Sequence, residues 1–173
     1  MTGDAAVPRF SPSTHPYRWV VLGGVWLLYF CFGLTAVAMA PLVKPITMEL
    51  GLSHSVMGGI LGAWPLVYIA SAIPCGVLLD RIGTRRSLLL AIGLIGLSGL
   101  LRALAEGQIS MFLAVGVFGL GGPLISIGAP KLIALWFDSK ERGLAMGIYI
   151  TGPALGGIGV LSLTNSLLMP MMD

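Results

Sequence analysis

The charged residues that could do chemistry in this chain are concentrated in one short segment, GVLLDRIGTRR (76–86), which follows a long uncharged stretch. The segment places Asp80 next to Arg81 and ends on Arg85 and Arg86. An acid among basic residues is expected to pair with an arginine or to face a helix N-terminus, where the macrodipole favours negative charge. The arginines suit anionic lipid headgroups. The pattern therefore indicates ion pairing at a membrane surface rather than catalysis.

Catalytic and metal-binding patterns are not found elsewhere in the sequence. The two cysteines, Cys31 and Cys75, lie inside apolar segments, where small packing residues are common. The two histidines, His15 and His54, lie far apart in the chain, and no Ser-His-Asp set or metal-ligand spacing can be assembled. We therefore expect no enzyme, no cofactor and no metal site.

Composition indicates which elements must position these residues. The 173 residues are 56% hydrophobic and only 10% charged, against about 25% charged in soluble proteins. A helix of about twenty apolar residues crosses the hydrocarbon core of a bilayer. We predict an all-α membrane protein with a helical bundle at 17–169, a disordered cytoplasmic tail at 1–16 and a truncated outer end at 170–173. The predicted spans are 19–40, 56–79, 87–105, 109–137 and 143–168.

Orientation follows from the lysines and arginines between the spans. With the N-terminus inside, eight of the ten lie on the inner side, which leaves only Lys44 and Arg102 outside. The sequence therefore predicts a multi-pass protein of the plasma (inner) membrane with a cytoplasmic N-terminus. The net charge of +3 is an insertion signal rather than a nucleic-acid surface, since no basic patch is interleaved with aromatic residues.

The charged segment resembles the loop between helices 2 and 3 of major facilitator superfamily transporters, G-x-x-x-D-R/K-x-G-x-R/K-R/K. The matching residues are Gly76, Asp80, Arg81, Gly83, Arg85 and Arg86. The resemblance implies the first five helices of a six-helix half, with Asp80 holding an inner gate against the opposite half. From the residues themselves, we expect Gly76 to allow close approach of a neighbouring helix and Gly83 to allow the reversal.

A second stretch, WFDSKERGLAMGIYITGPALGG (136–157), resembles the connection between helices 4 and 5 and the glycine-rich fifth helix of the same family. Proline removes a helix hydrogen bond and glycines remove side chains, so we predict a bend with close packing. The residues of this predicted bend are Gly152, Pro153, Gly156 and Gly157. The motif is only a partial match to the family's antiporter signature, because Ile148 stands where the longer signature has a glycine.

Ionisable residues inside spans are functional candidates, and Arg102 and Lys131 are the two that qualify. Each either snorkels to the interface or faces a central cavity, where it would favour an anion. In the family, helices 1 and 4 line the cavity with contributions from 2 and 5. The candidate substrate-lining residues are Tyr29, Thr35, Trp64, Tyr68, Lys131 and Tyr149. For any one of them, ordinary core packing is the alternative.

The expected function is transmembrane transport of a small solute by alternating access. A mostly neutral lining with one basic residue suits a small organic anion better than a sugar. The expected partners are a small-molecule substrate, a coupling ion, the lipid bilayer, and a missing C-terminal half or another copy. The alternative is a non-transporting membrane interaction module that assembles with another chain.

Overall fold

The computed structural model describes residues 16–164 and 166. Its helices are α1 (Arg18–Val37), α2 (Val43–Glu49), α3 (His54–Ile82), α4 (Thr84–Ala103), α5 (Gln108–Trp136) and α6 (Ser139–Leu163). All of these except α2 are long and apolar enough to cross a membrane. The prediction of an all-α fold with five spans is confirmed.

The predicted tail at 1–16 lies outside the described residues except for Pro16, and the predicted end at 170–173 lies wholly outside them. Between α1 and α3 the structure adds α2, which hydropathy did not predict because the segment is short and carries charge. Its apolar side chains, Val43 and Ile46 among them, pack against a buried cluster that includes Met57 and Ile60. Tertiary packing therefore orders a segment that the sequence presented as a loop.

The centre of the bundle is α5. About two thirds (67%) of its most apolar window is buried, against 22–28% for the other four long helices. It packs against α3 on one side and α4 on the other, while α1 packs mainly against α6. A Cβ built at Gly119 of α5 would lie 2.5 Å from the carbonyl oxygen of Trp64 in α3. Only glycine therefore allows the two backbones to approach this closely.

The seam between α1 and α6 is also built on glycine. A Cβ at Gly152 would lie 2.8 Å from the Trp26 carbonyl oxygen, and one at Gly156 would overlap the backbone of Phe30. Beside the seam, Trp26 Nε1 donates a hydrogen bond of 3.0 Å to Thr151 Oγ1. Because lipid is as apolar as the helices, such close packing and interhelical hydrogen bonds hold them together. α6 is continuous through Pro153, and the bend there stays a prediction.

The connections define two ends of the bundle. At the Gly83 end, α1 begins, α3 turns into α4, and α5 is followed by α6. At the Gly107 end lie α2 and the connection from α4 to α5. Gly83 has φ +83°, a conformation that side-chain-bearing residues rarely adopt, so this glycine makes the single-residue reversal possible.

Candidate substrate site and ion-pair gate

Asp80 of α3 pairs with Lys131 of the neighbouring helix α5. Lys131 Nζ lies 2.7 Å from Asp80 Oδ1, with the side chains 47% and 71% exposed respectively. Of the two alternatives predicted for Asp80, an arginine partner was wrong, and facing a helix N-terminus stays a prediction. The partner is Lys131 because α3 and α5 run in the same direction and bring these two residues level with each other at the Gly83 end. The pair leaves Asp80 mostly exposed, so its carboxylate has room for a second partner.

Gly76 does not have the packing role expected of it. A Cβ built there would meet Ile127 Cδ1 at 3.7 Å, an ordinary van der Waals distance. The close approach of α3 to α5 lies further towards the Gly107 end, at Gly119. The charged segment that contains Gly76 and the close contact with α5 therefore lie at different places along α3.

A second set of charges joins α1, α5 and α6 at the Gly83 end. Arg18 forms an ion pair of 2.6 Å with Glu141, which lies in the first turn of α6. Arg142 donates through Nη2 to the carbonyl oxygens of Ala134 at 3.1 Å and Phe137 at 3.4 Å. A cation at the C-terminal end of α5 also complements the helix dipole. These contacts tie the start of α1 to the connection between α5 and α6.

An aromatic cluster joins four helices well inside the bundle; its members are Tyr29 and Phe32 from α1, Trp64 and Tyr68 from α3, Phe118 from α5 and Tyr149 from α6. The ring of Phe118 is its hub, stacked on Phe32 at 5.0 Å and edge-on to Trp64 at 5.7 Å. Tyr29 meets Tyr149 edge-on at 5.0 Å. Phe118 is fully buried, and it lies about 15 Å along α5 from its first residue.

The structure brings four of the six candidate lining residues into this cluster and leaves two outside it. Tyr29, Trp64, Tyr68 and Tyr149 are members, with Tyr149 buried and the other three partly buried. Lys131 lies at the Gly83 end with Asp80. Thr35 lies near the Gly107 end of α1, where its hydroxyl donates to the Cys31 carbonyl at 2.8 Å. A single continuous lining of all six is therefore not found.

Arg102 turns into the bundle. Its Nη1 donates to the Thr35 carbonyl oxygen at 3.2 Å, and its guanidinium carbon lies 5.2 Å from the ring centroid of Phe118. The sequence left two alternatives open for Arg102, snorkelling to the interface and pointing inward. In the structure the side chain points inward. The side chain links α4 to α1 and α5.

Two members of the aromatic cluster, Phe32 and Phe118, were missed in the sequence. Both lie in apolar spans, where no sequence feature separates a phenylalanine that faces lipid from one in the core. The glycines beside Phe118 carried the available signal: the Tyr68 ring packs so close to Gly122 that a Cβ there would lie 2.5 Å from it. Small residues at this spacing indicate close helix packing, which marks the face that holds Phe118.

Comparison with known proteins extends these observations. A family model described as Major Facilitator Superfamily matches residues 25–169. The methyl viologen resistance protein SmvA of Salmonella typhimurium is 28% identical over 82% of the chain and 30% of its own length. A probable L-galactonate transporter of Escherichia coli is 36% identical over 64% and 24%. A probable chloroplastic anion transporter 3 of Arabidopsis thaliana is 31% identical over 76% and 26%. The chain thus spans 24–30% of the length of these relatives.

Proposed function

Since this chain belongs to the Major Facilitator Superfamily, we propose that it serves in moving a small organic anion across a membrane by alternating access, as the N-terminal portion of a secondary transporter. Relatives named for L-galactonate and for anions support the anionic substrate. In such transporters the substrate binds between two halves that rock against each other. The proposed partners are a coupling ion and either the remaining helices or another copy of the chain.

The observation that carries the proposal is the aromatic cluster. Its rings come from α1, α3, α5 and α6 and meet away from the helix ends. Tyr29, Tyr68 and Tyr149 add hydroxyl groups to this apolar surface, and ligand sites typically combine apolar walls with a few polar groups. Such a surface suits the organic part of a small anion.

We further propose that the Gly83 end faces the cytoplasm and that the membrane is the plasma membrane. Most of the positive charge between the spans gathers at this end, as the positive-inside rule requires of a cytoplasmic face. Asp80 and Lys131 would then lie at the inner entrance. There, Asp80 acts as a gate residue that exchanges partners as the halves close and open.

Uptake into proteoliposomes tests the transport function. The protein at its full natural length should take up radiolabelled galactonate or benzoate saturably, and neutral galactose should be taken up no faster than by protein-free vesicles. An anion is preferred because the inward charge of Arg102 favours it. If no organic anion enters faster than into empty vesicles, although the protein is inserted and folded, the proposed function is wrong.

Asp80→Asn tests the gate. The ion pair is mostly exposed, so its loss should change the free energy of unfolding by less than about 1 kcal/mol. The initial rate of uptake should nevertheless fall by roughly tenfold, because a gate that loses its carboxylate no longer holds the closed state. Initial rates and melting temperatures would be measured on the same preparations.

Lys131→Gln is the matched control, since it breaks the same ion pair and leaves the carboxylate of Asp80 available. Its uptake should stay closer to that of the unaltered protein than uptake by Asp80→Asn. If both variants lose uptake equally and the exchange Asp80→Lys with Lys131→Asp restores it, the pair itself is what matters and a gate role towards the other half is refuted.

A further inference from the structure

Arg102 carries a positive charge that no acid among the described residues neutralises. Its nearest acid along the chain, Glu106, forms no ion pair with it, and none of the acids among residues 16–164 and 166 does so. Its hydrogen bond goes to a neutral carbonyl group, that of Thr35. Its Nε atom is buried and has no hydrogen-bond partner. A cation without an acidic partner is unfavourable away from water unless a ligand completes it.

The same side chain borders a cavity of about 300 Å³ at the Gly107 end. The cavity lies between α1, α2, α4 and α5, and its walls are mainly apolar, with Leu34, Leu42, Ile46 and Met111 among them. Its volume is at the lower end of the range of ligand pockets, about 300–1,000 Å³. The space therefore suits a small molecule with an apolar body.

The surroundings of the guanidinium also hold it in place. The face of Phe118 lies beneath it, and the Thr35 carbonyl, in the last turns of α1, fixes one nitrogen. A guanidinium presents five N–H groups in a rigid fork that matches a carboxylate, and a charge-assisted hydrogen bond is about twice as strong as a neutral one. A preorganised donor of this kind loses little freedom when an anion binds.

We infer that Arg102 is the anion-recognition residue of a binding site at the Gly107 end of the bundle, and that the site takes a small carboxylate with an apolar body. The carboxylate pairs with the guanidinium, while the body lies against the apolar walls of the cavity. The idea that substrate enters at this site rests on the proposed transport function. Binding to the site can be measured without transport.

Equilibrium binding of radiolabelled benzoate tests the site, with the protein at its full natural length in phosphatidylcholine nanodiscs. Benzamide, a neutral molecule of the same shape, is the ligand control, measured by competition. Benzoate should bind the unaltered protein roughly ten- to a hundredfold more tightly than benzamide, because only the carboxylate pairs with Arg102. Equal binding of the two would overturn the inference, and this comparison needs no variant to fold.

Arg102→Gln should remove the preference for benzoate, and Arg102→Lys should keep part of it. Lys44→Gln is the matched control, since Lys44 is an exposed cation on α2 at the same end. It should leave benzoate affinity unchanged. Unchanged benzoate affinity in Arg102→Gln would overturn the inference. Loss of benzoate binding when phosphatidylglycerol is added to the nanodiscs would also overturn it, because the anion at the site would then be a lipid headgroup.

The two proposals fail in different ways. Benzoate binding that depends on Arg102, without uptake of any organic anion, would refute the transport function and leave the site. Saturable uptake that Arg102→Gln does not alter would refute the site and leave the transport function.

Discussion

Gly156→Ala should lower the melting temperature of the protein by roughly 5 °C or more, because the added methyl group would overlap the backbone of α1. The new Cβ would meet the carbonyl oxygen of Phe30 and lie 2.8 Å from the amide nitrogen of Leu34. Backbone atoms inside a helix cannot turn aside as a flexible side chain can, so α1 and α6 must separate. To measure the change, each protein would be heated in detergent to a series of temperatures, and the folded protein that remains would be quantified by size-exclusion chromatography.

Gly147→Ala is the control on the same helix. Nothing lies within 4 Å of a Cβ built at Gly147, so the alanine should leave the melting temperature unchanged or raise it slightly, since alanine favours helix over glycine. Both variants make the same chemical change in α6. If the two variants have the same melting temperature, the close contact between α6 and α1 does not make the contribution to stability that its packing predicts.

The elements that span the membrane could be predicted because their signal is local. A run of about twenty uncharged apolar residues has few stable alternatives to a membrane-spanning helix. The ends of the helices carry a weaker signal: α3 continues to Ile82, through Asp80 and Arg81, beyond the apolar part that hydropathy detects. Hydropathy therefore predicts how many helices cross but not where each one stops.

Contacts between distant residues could not be predicted in the same way. Asp80 and Lys131 are 51 residues apart, and only the parallel packing of α3 on α5 makes them partners. The aspartate was recognised from its motif, while its partner depends on the register of two helices. The sequence singled out Asp80 as a paired acid but did not identify Lys131 as its partner.

The inward position of the Arg102 side chain could not be predicted from the sequence either. An arginine near the end of a span is compatible both with snorkelling to the interface and with a place in a site. The side chain's direction is decided by the ring of Phe118 and the carbonyl of Thr35, which come from two other helices. Phe118 in turn has no sequence feature that separates it from a phenylalanine facing lipid.

Phe118→Ala should therefore be strongly destabilising, by about 3 kcal/mol, which is the lower end of the range for phenylalanine in soluble cores. The lower end applies because lipid is as apolar as the core, so the loss comes from packing and the cavity rather than from transfer out of water. The substitution removes the ring on which Phe32, Trp64 and Arg102 converge. The melting temperature should fall by roughly 6–12 °C.

Phe112→Ala gives the comparison that identifies the cause. Phe112 lies on the same helix but is 43% exposed, so lipid can fill the space that its ring leaves. Its loss should change the melting temperature by no more than about 2 °C, since little protein packing is removed. Equal destabilisation by the two variants would mean that removing any aromatic ring from α5 lowers the stability, whether or not the ring is buried. A large effect at Phe118 alone would mean that the aromatic cluster is a packed junction, which holds the guanidinium of Arg102 in position by holding the ring beneath it.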